Sequence, residues 1–282
     1  MNEYSNTFKE IRTSKNYTQT YIASNQLSRS LYAKIEAGQV IPSYTKFLFL
    51  LQRLDLGIQE FEYIHNNYSL SAKQNILAKF SLINTNLDTI SLNELISLCT
   101  KYLKNDKDIF ISNILSICKA LFLVQSEDDY HKAIILVAPI WERLSKQDTL
   151  YLNDIILLSN IFYLFQVDTA KEIVKFAINR LQKYNSFCNI DQIQVSFYLN
   201  LSTLLIQESK FDEAMEFIDY SIDFAQKSQL YILLGISYFK KAVVYKHKLN
   251  SAKSESYYAK GANLLYQLGE INLLEKLKIN IR

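Results

Sequence analysis

Apolar and polar positions along this chain fall into a succession of amphipathic helical stretches, set apart by short polar turns. The first five occupy residues 4–65. Phe8 and Ile11 mark the inner face of the first helix. Thr18 is placed to cap the second, which carries Tyr21, Ile22 and Ala23. Ser28 caps the third, with Leu31 and Ile35 facing inward, and Gly38 stands where a left-handed residue ends a helix. Pro42 blocks direct continuation. Ser43 then caps a fourth helix holding Phe47, Leu48, Leu50, Leu51 and Leu54, and Ile58 to Tyr63 form the fifth.

From about residue 71 a slower rhythm takes over. Helical stretches begin near Ser71, Lys107, Leu150, Ile190, Leu230 and Glu270. A second amphipathic helix follows near Ser91, Tyr130, Thr169, Phe211 and Ser251. Helix pairs recurring at roughly 40 residues predict an α-solenoid. The segment Tyr198 to Ala225 resembles a tetratricopeptide repeat, with Tyr198, Leu201, Ser202, Leu205, Phe211, Ala214 and Ser221 at its large and small positions. The next unit fits more loosely: Ala242, Tyr245 and Gly261 match, but Ser254 stands where alanine is expected. The expected fold is therefore all-α, a five-helix unit over residues 1–66 followed over 67–282 by a solenoid of degenerate repeats.

Composition agrees with two units. A chain of 282 residues is long for one core, and 2 prolines and 5 glycines leave room only for short turns. Net charge is +3, but its distribution is uneven. Between Lys9 and Arg53, the cations Lys9, Arg12, Lys15, Arg29, Lys34, Lys46 and Arg53 face only Glu10 and Glu36, a local basic field suited to phosphates. Cys99, Cys118 and Cys188 are far apart in apolar surroundings and read as reduced core residues. The polar start MNEYSNTFKEIRTSKN has no apolar signal core, and no uninterrupted apolar run approaches a membrane span of about 18 residues. A cytoplasmic protein without membrane association is expected.

The segment from Phe8 to Phe61 resembles the repressor-type helix–turn–helix of the Xre/Cro family. The resemblance rests on Thr18-Gln19, Ala23, Ser28-Arg29-Ser30, and Ile35-Glu36-Ala37-Gly38 followed by Pro42-Ser43. A small residue such as Ala23 lets the bracing helix cross the recognition helix closely. The turn between them is one residue shorter than usual and lacks glycine, so Asn25 or Gln26 is expected to take the left-handed position. That short turn and the helical-repeat tail look like the Rgg/GadR/MutR regulators, within the wider group of peptide-pheromone receptors. The resemblance implies a homodimer that binds a double-stranded DNA operator and switches on a short signalling peptide.

On this reading Arg29 reaches base edges, while Gln19, Ser28, Ser30 and Lys34 hold bases or phosphates. Arg12 is expected to pair with Glu36, since a carboxylate near the DNA-facing side requires a cation. In the solenoid, polar residues on otherwise apolar first helices become peptide ligands: Asn153, Asn160, Tyr198, Asn200, Tyr238 and Lys241. Asparagine offers a donor and an acceptor to a peptide amide. Each of these side chains has a plain alternative as a helix cap, a packing group or a solvated polar residue. His65, His131 and His247 are isolated, no metal-ligand spacing occurs, and no phosphate loop or nucleophile motif is present, so no cofactor, metal or enzymatic activity is expected. Two rival functions remain open: a regulator whose solenoid binds a protein partner, and one with no ligand.

Overall fold

A computed structural model describes residues 4–82, 89–187 and 190–279; Cys188 lies outside the described residues. Among them there are α-helices, two short 3-10 turns and no strands. The chain divides into two compact units, residues 1–78 and 79–282.

The first unit holds α1 (Ser5–Ser14), α2 (Gln19–Ala23), α3 (Arg29–Glu36), α4 (Tyr44–Arg53) and α5 (Ile58–His65). Its core is built from Phe8, Ile11, Ile22, Ala23, Leu27, Tyr32, Ile35, Leu50, Leu51, Leu54 and Phe61. The ring of Tyr4 meets Phe47 and Phe61, and Phe8 stacks obliquely on Phe61 at 4.7 Å. Local capping explains the boundaries. Thr18 accepts the Tyr21 N–H at 3.1 Å and Ser28 accepts the Leu31 N–H at 3.1 Å. Gly38 ends α3 with φ of 72°, the left-handed region that glycine enters without Cβ strain. Two turn details differ from the sequence expectation. Ser24, rather than Asn25 or Gln26, takes positive φ at 49° and so leaves α2 one residue sooner. Ser43 stands at the start of α4 but its side chain accepts no capping bond.

Compactness divides the chain inside α6 (Ala72–Leu82), later than the expected boundary at residue 66. The start of α6 is tied to α5 by Gln74, whose amide donates to Glu62 at 3.2 Å and whose carbonyl oxygen accepts the Ser71 N–H at 3.0 Å.

The second unit continues through α7 (Thr89–Leu103), α8 (Ile109–Glu127), α9 (Tyr130–Leu144), α10 (Leu152–Ser159), α11 (Val167–Leu181), α12 (Asp191–Gln207), α13 (Phe211–Lys227), α14 (Tyr231–His247), α15 (Ser251–Gln267) and α16 (Ile271–Ile279). Neighbouring helices pack on one another from α7 to α9 and from α10 to α16, and α12 also touches α14, the arrangement of a solenoid. Helix α8 is long and apolar enough, by length and composition alone, to cross a membrane, with mean hydropathy of 1.7 over its most apolar stretch. Asn113, Ser116 and Lys119 interrupt it, which is why no unbroken apolar run marks it in the sequence. Its buried side chains Ile111, Ile114, Ile117, Cys118 and Leu121 belong to a helix that packs between α7 and α9.

Small residues weld the last repeats. The Ser221 hydroxyl donates to Ser237 at 2.9 Å, and both are wholly buried. Ser254, in place of the repeat's alanine, donates to the Ala242 carbonyl at 2.9 Å, so the departure adds a bond between α14 and α15. A Cβ on Gly261 would stand 2.9 Å from the Gly235 carbonyl oxygen and 2.8 Å from the Phe239 ring. Only glycine permits that approach.

Candidate functional site

The N-terminal site is organised around one buried carboxylate. Glu36, at the end of α3, accepts from the Arg12 guanidinium at 2.6 and 3.1 Å, and Gln19 at the start of α2 donates to the same carboxylate at 2.8 Å. Arg12 also donates to the Tyr17 carbonyl at 2.9 Å. Three helices and the α1–α2 turn thus meet at a single side chain. Burial works to raise the Glu36 pKa, but the bonds from Arg12 and Gln19 outweigh it and hold the carboxyl below its ordinary value. The same bond from Glu36 raises Arg12. The Tyr32 hydroxyl is buried beside this pair without a hydrogen bond of ordinary geometry, and its burial, with the carboxylate's charge, pushes the phenol far upward.

With Glu36 so occupied, α3 turns its other face outward. Arg29, Ser30 and Lys34 are exposed, and no internal hydrogen bond engages the Arg29 or Lys34 side chain among the described residues. Ser28 is exposed but spends its hydroxyl on the helix cap and lies 3.1 Å from the Ser30 hydroxyl. Gln19 is only partly exposed, and its amide belongs to the Glu36 network. Arg53 escaped the sequence reading as a positioning residue. Its guanidinium lies 4.5 Å over the Tyr21 ring and donates to the Tyr21 carbonyl at 2.7 Å, fastening α2 to α4. Its spacing from Tyr21 carries no periodic signal, so only the folded structure brings the two together.

The six solenoid residues do not form one wall. Asn160 is 2 % exposed and donates to the Ile156 carbonyl at 2.8 Å, so it caps its own helix, while Asn153 is exposed. Helix α10 ends at Ser159 and a 3-10 turn follows, which ends the shared face that a seven-residue spacing implies. Tyr198 sits among Phe217, Tyr220 and Phe224 of α13 and accepts from Gln194 at 3.1 Å. Tyr238 accepts from Gln226 of α13 at 3.0 Å. Lys241 pairs with Asp219 of α13 and lies 4.8 Å from the Tyr257 ring centre of α15. Burial opposes the Lys241 charge, yet Asp219 holds its pKa above the ordinary value. Those three side chains therefore cement first helices to second helices. Asn200 differs: it is partly buried and its amide has no hydrogen-bond partner among the described residues.

Two cavities open at the starts of α12 and α14. One of about 530 Å³ is lined by Gln182, Phe187, Asp191, Gln194 and Phe224. The other, about 360 Å³ and more apolar, is lined by Gln192, Leu230, Tyr231, Leu233 and Leu268. Neither contains any of the six. Cys99 and Cys118 are buried free thiols, with Cys99 pushed up to about 11 by burial. Among the described residues no group of three His, Cys, Asp or Glu side chains could hold a metal ion.

Comparison with known proteins adds a family likeness over part of the chain and a shared fold. Residues 143–278, just under half of the chain, match the C-terminal domain of the HTH-type transcriptional regulator Rgg. Three solved structures share the fold across nearly the full length. A candidate transcriptional regulator from Listeria monocytogenes is 16 % identical with a TM-score of 0.78, covering 99 % of this chain and 96 % of that one. The SHP pheromone receptor Rgg2 of Streptococcus dysgalactiae is 17 % identical with a TM-score of 0.70, covering 98 % of each chain. Bacillus thuringiensis PlcR, in complex with the peptide PapR7 and DNA, is 16 % identical with a TM-score of 0.68, covering 98 % and 99 %.

Proposed function

We propose, for a chain whose residues 143–278 match the Rgg C-terminal domain, that it is a DNA-binding transcription regulator whose solenoid senses a short signalling peptide. The observation that carries the DNA half is the outward end of α3. Arg29 stands in the first turn, after the Ser28 cap, exposed, unpaired and mounted on a helix that the Arg12–Glu36–Gln19 network holds against α1 and α2. A recognition helix reads bases with its N-terminal residues, and arginine there bonds the acceptor edge of guanine. Lys34 lies further along the helix as a phosphate contact, and Ser28, Ser30 and Gln19 flank the same end. The peptide half rests on the shared fold with proteins whose structures hold peptides, as PlcR does with PapR7. The chain acts as a homodimer, with half-sites about one helical turn of DNA apart.

The test is selection of duplexes from a random pool by the full chain, then titration of the recovered operator. Arg29→Ala should weaken operator binding by about 1–3 kcal/mol and relax base preference at one position. Lys34→Ala should weaken all duplexes alike and reduce the salt slope by about 1. An Arg29→Ala protein with unchanged affinity and unchanged base preference would remove α3 from the reading role.

A further inference from the structure

The helical phase that takes Lys241 to α13 takes its neighbour Lys240 elsewhere. On α14, Ile236, Lys240 and Val243 follow one another at four and three residues and are all partly accessible. On α12, Asn200 and Thr203 make a matching stripe, also partly accessible. The two stripes are joined directly: the Lys240 ammonium donates to the Thr203 hydroxyl at 2.5 Å, and that hydroxyl donates onward to the Leu199 carbonyl at 2.9 Å. First helices of consecutive repeats line the inner wall of a solenoid, and this is where α12 and α14 meet without a second helix between them.

Lys240 is unusual in its partners. An ammonium carries three N–H donors, and among the described residues only a neutral hydroxyl receives one. Helix α14 contains no acidic residue, and the one acid within α12, Asp191, stands at that helix's opposite end beside Ser228 of α13. Burial alone acts on the charge, pushing the Lys240 ammonium down to about 8. A partly buried cation with no carboxylate opposite it is costly, and the incoming negative group that relieves the cost gains a charge-assisted bond in surroundings that screen it little. Asn200, on the adjoining stripe, brings a partly buried amide with no partner.

We infer that Lys240 is the carboxylate subsite of the solenoid wall, pairing with a C-terminal or side-chain carboxylate of the bound peptide while Asn200 bonds a neighbouring peptide amide. This deepens the peptide-sensing reading and rests on it. The wall around the subsite is apolar, from Ile236 and Val243, so the matching ligand is an apolar peptide with one negative end or one acidic residue.

The probe is three pools of N-acetylated heptapeptides built from Ala, Leu, Ile, Val, Phe and Ser. One pool has a free C-terminal carboxylate, one a C-terminal amide, and one an amide plus a single Asp. Each is incubated with the full chain and the retained peptides are counted by ultrafiltration and mass spectrometry. Wild type should retain a carboxylate-bearing pool at least tenfold over the neutral pool, and which of the two it prefers identifies the carboxylate's source. Lys240→Met should erase that preference, and so should Lys240→Gln, which keeps a donor for Thr203; both should retain neutral peptides as wild type does. Equal retention of charged and neutral pools by wild type would overturn the subsite and leave peptide sensing standing. A preference that survives in both variants would do the same. No retention from any pool would overturn the subsite and the peptide reading together.

Discussion

The two units hold their helices together by opposite means. In the first, α1, α2 and α3 converge on one charged side chain, and four hydrogen bonds among Arg12, Gln19, Glu36 and the Tyr17 carbonyl lock the geometry. In the second, α12 to α15 meet closely, beside the larger Tyr198, Tyr238 and Lys241, through what is small: Ser221 on Ser237, Ser254 on a carbonyl, and Gly261 against the Gly235 backbone. A buried ionic knot is directional and fails as a unit when one partner is removed. A seam of small residues spreads its contribution over many close contacts, so each loss is smaller and more local. The comparison teaches where each unit tolerates change: the first unit at its surface, the solenoid almost anywhere except where backbones touch.

The largest expected effect comes from cutting the knot. Glu36→Ala strands the Arg12 guanidinium, 13 % exposed, beside a buried phenol, and should cost the first unit about 3 kcal/mol. Circular dichroism melting of the full chain should then resolve an earlier transition for that unit. An unchanged profile would show that the knot contributes nothing and would erase the contrast. The knot also predicts an acid sensitivity of definite sign. Because the folded Glu36 pKa lies below the ordinary 4.5, its stabilisation is complete above that value and is lost as pH falls through the lowered one. Glu36→Gln should remove this pH dependence, and chemical denaturation between pH 6 and pH 3 is the measurement.

Next in size is the backbone contact of the solenoid. Gly261→Ala forces a methyl against the Gly235 carbonyl and should cost about 2 kcal/mol in spite of alanine's better helix propensity. Gly235→Ala is the useful contrast, since the atoms nearest its added methyl belong to the Leu265 side chain, at 2.8 Å, and not to backbone. Denaturant titrations that found the two equal would sink the backbone argument. The smallest effect belongs to one hydroxyl: Ser254→Ala should cost about 1 kcal/mol, because the Ala242 carbonyl already serves its helix. A loss as large as that of Glu36→Ala would mean the seam behaves as a knot after all.

How much could be read beforehand follows the same division. Helix starts near Thr18, Ser28, Tyr130, Phe211 and Ser251 are legible because capping residues and repeat spacing act within a few positions along the chain. The outward placement of Arg29 and Lys34 follows from the phase of Leu31 and Ile35. The solenoid wall was less legible, because a first helix has two occupied flanks and periodicity does not say which one faces its second helix. Tyr198 and Asn200 are two residues apart, so their side chains diverge, and one packs on α13 while the other does not. Lys241 and Lys240 diverge for the same reason. Asn160 shares a face with Asn153 only on a helix that continues past Ser159, and α10 ends there. Ser24 takes the turn's positive φ because α2 stops at Ala23, while Asn25 and Gln26 stay within the turn without positive φ.

The occupied state of Glu36 has an evolutionary consequence. Among the described residues, the hydrogen bonds to this carboxylate come from Arg12 and Gln19, and none from the outer face of α3. Arg29 and Lys34 are thus free of any duty in folding, and a lineage can exchange either one in a single mutational step without first acquiring a compensating change. On the proposed reading, paralogues arising from a duplicated copy would diverge at Arg29, and so in the sequences they prefer, before they diverged in shape. The frame sets a neutral floor under that drift.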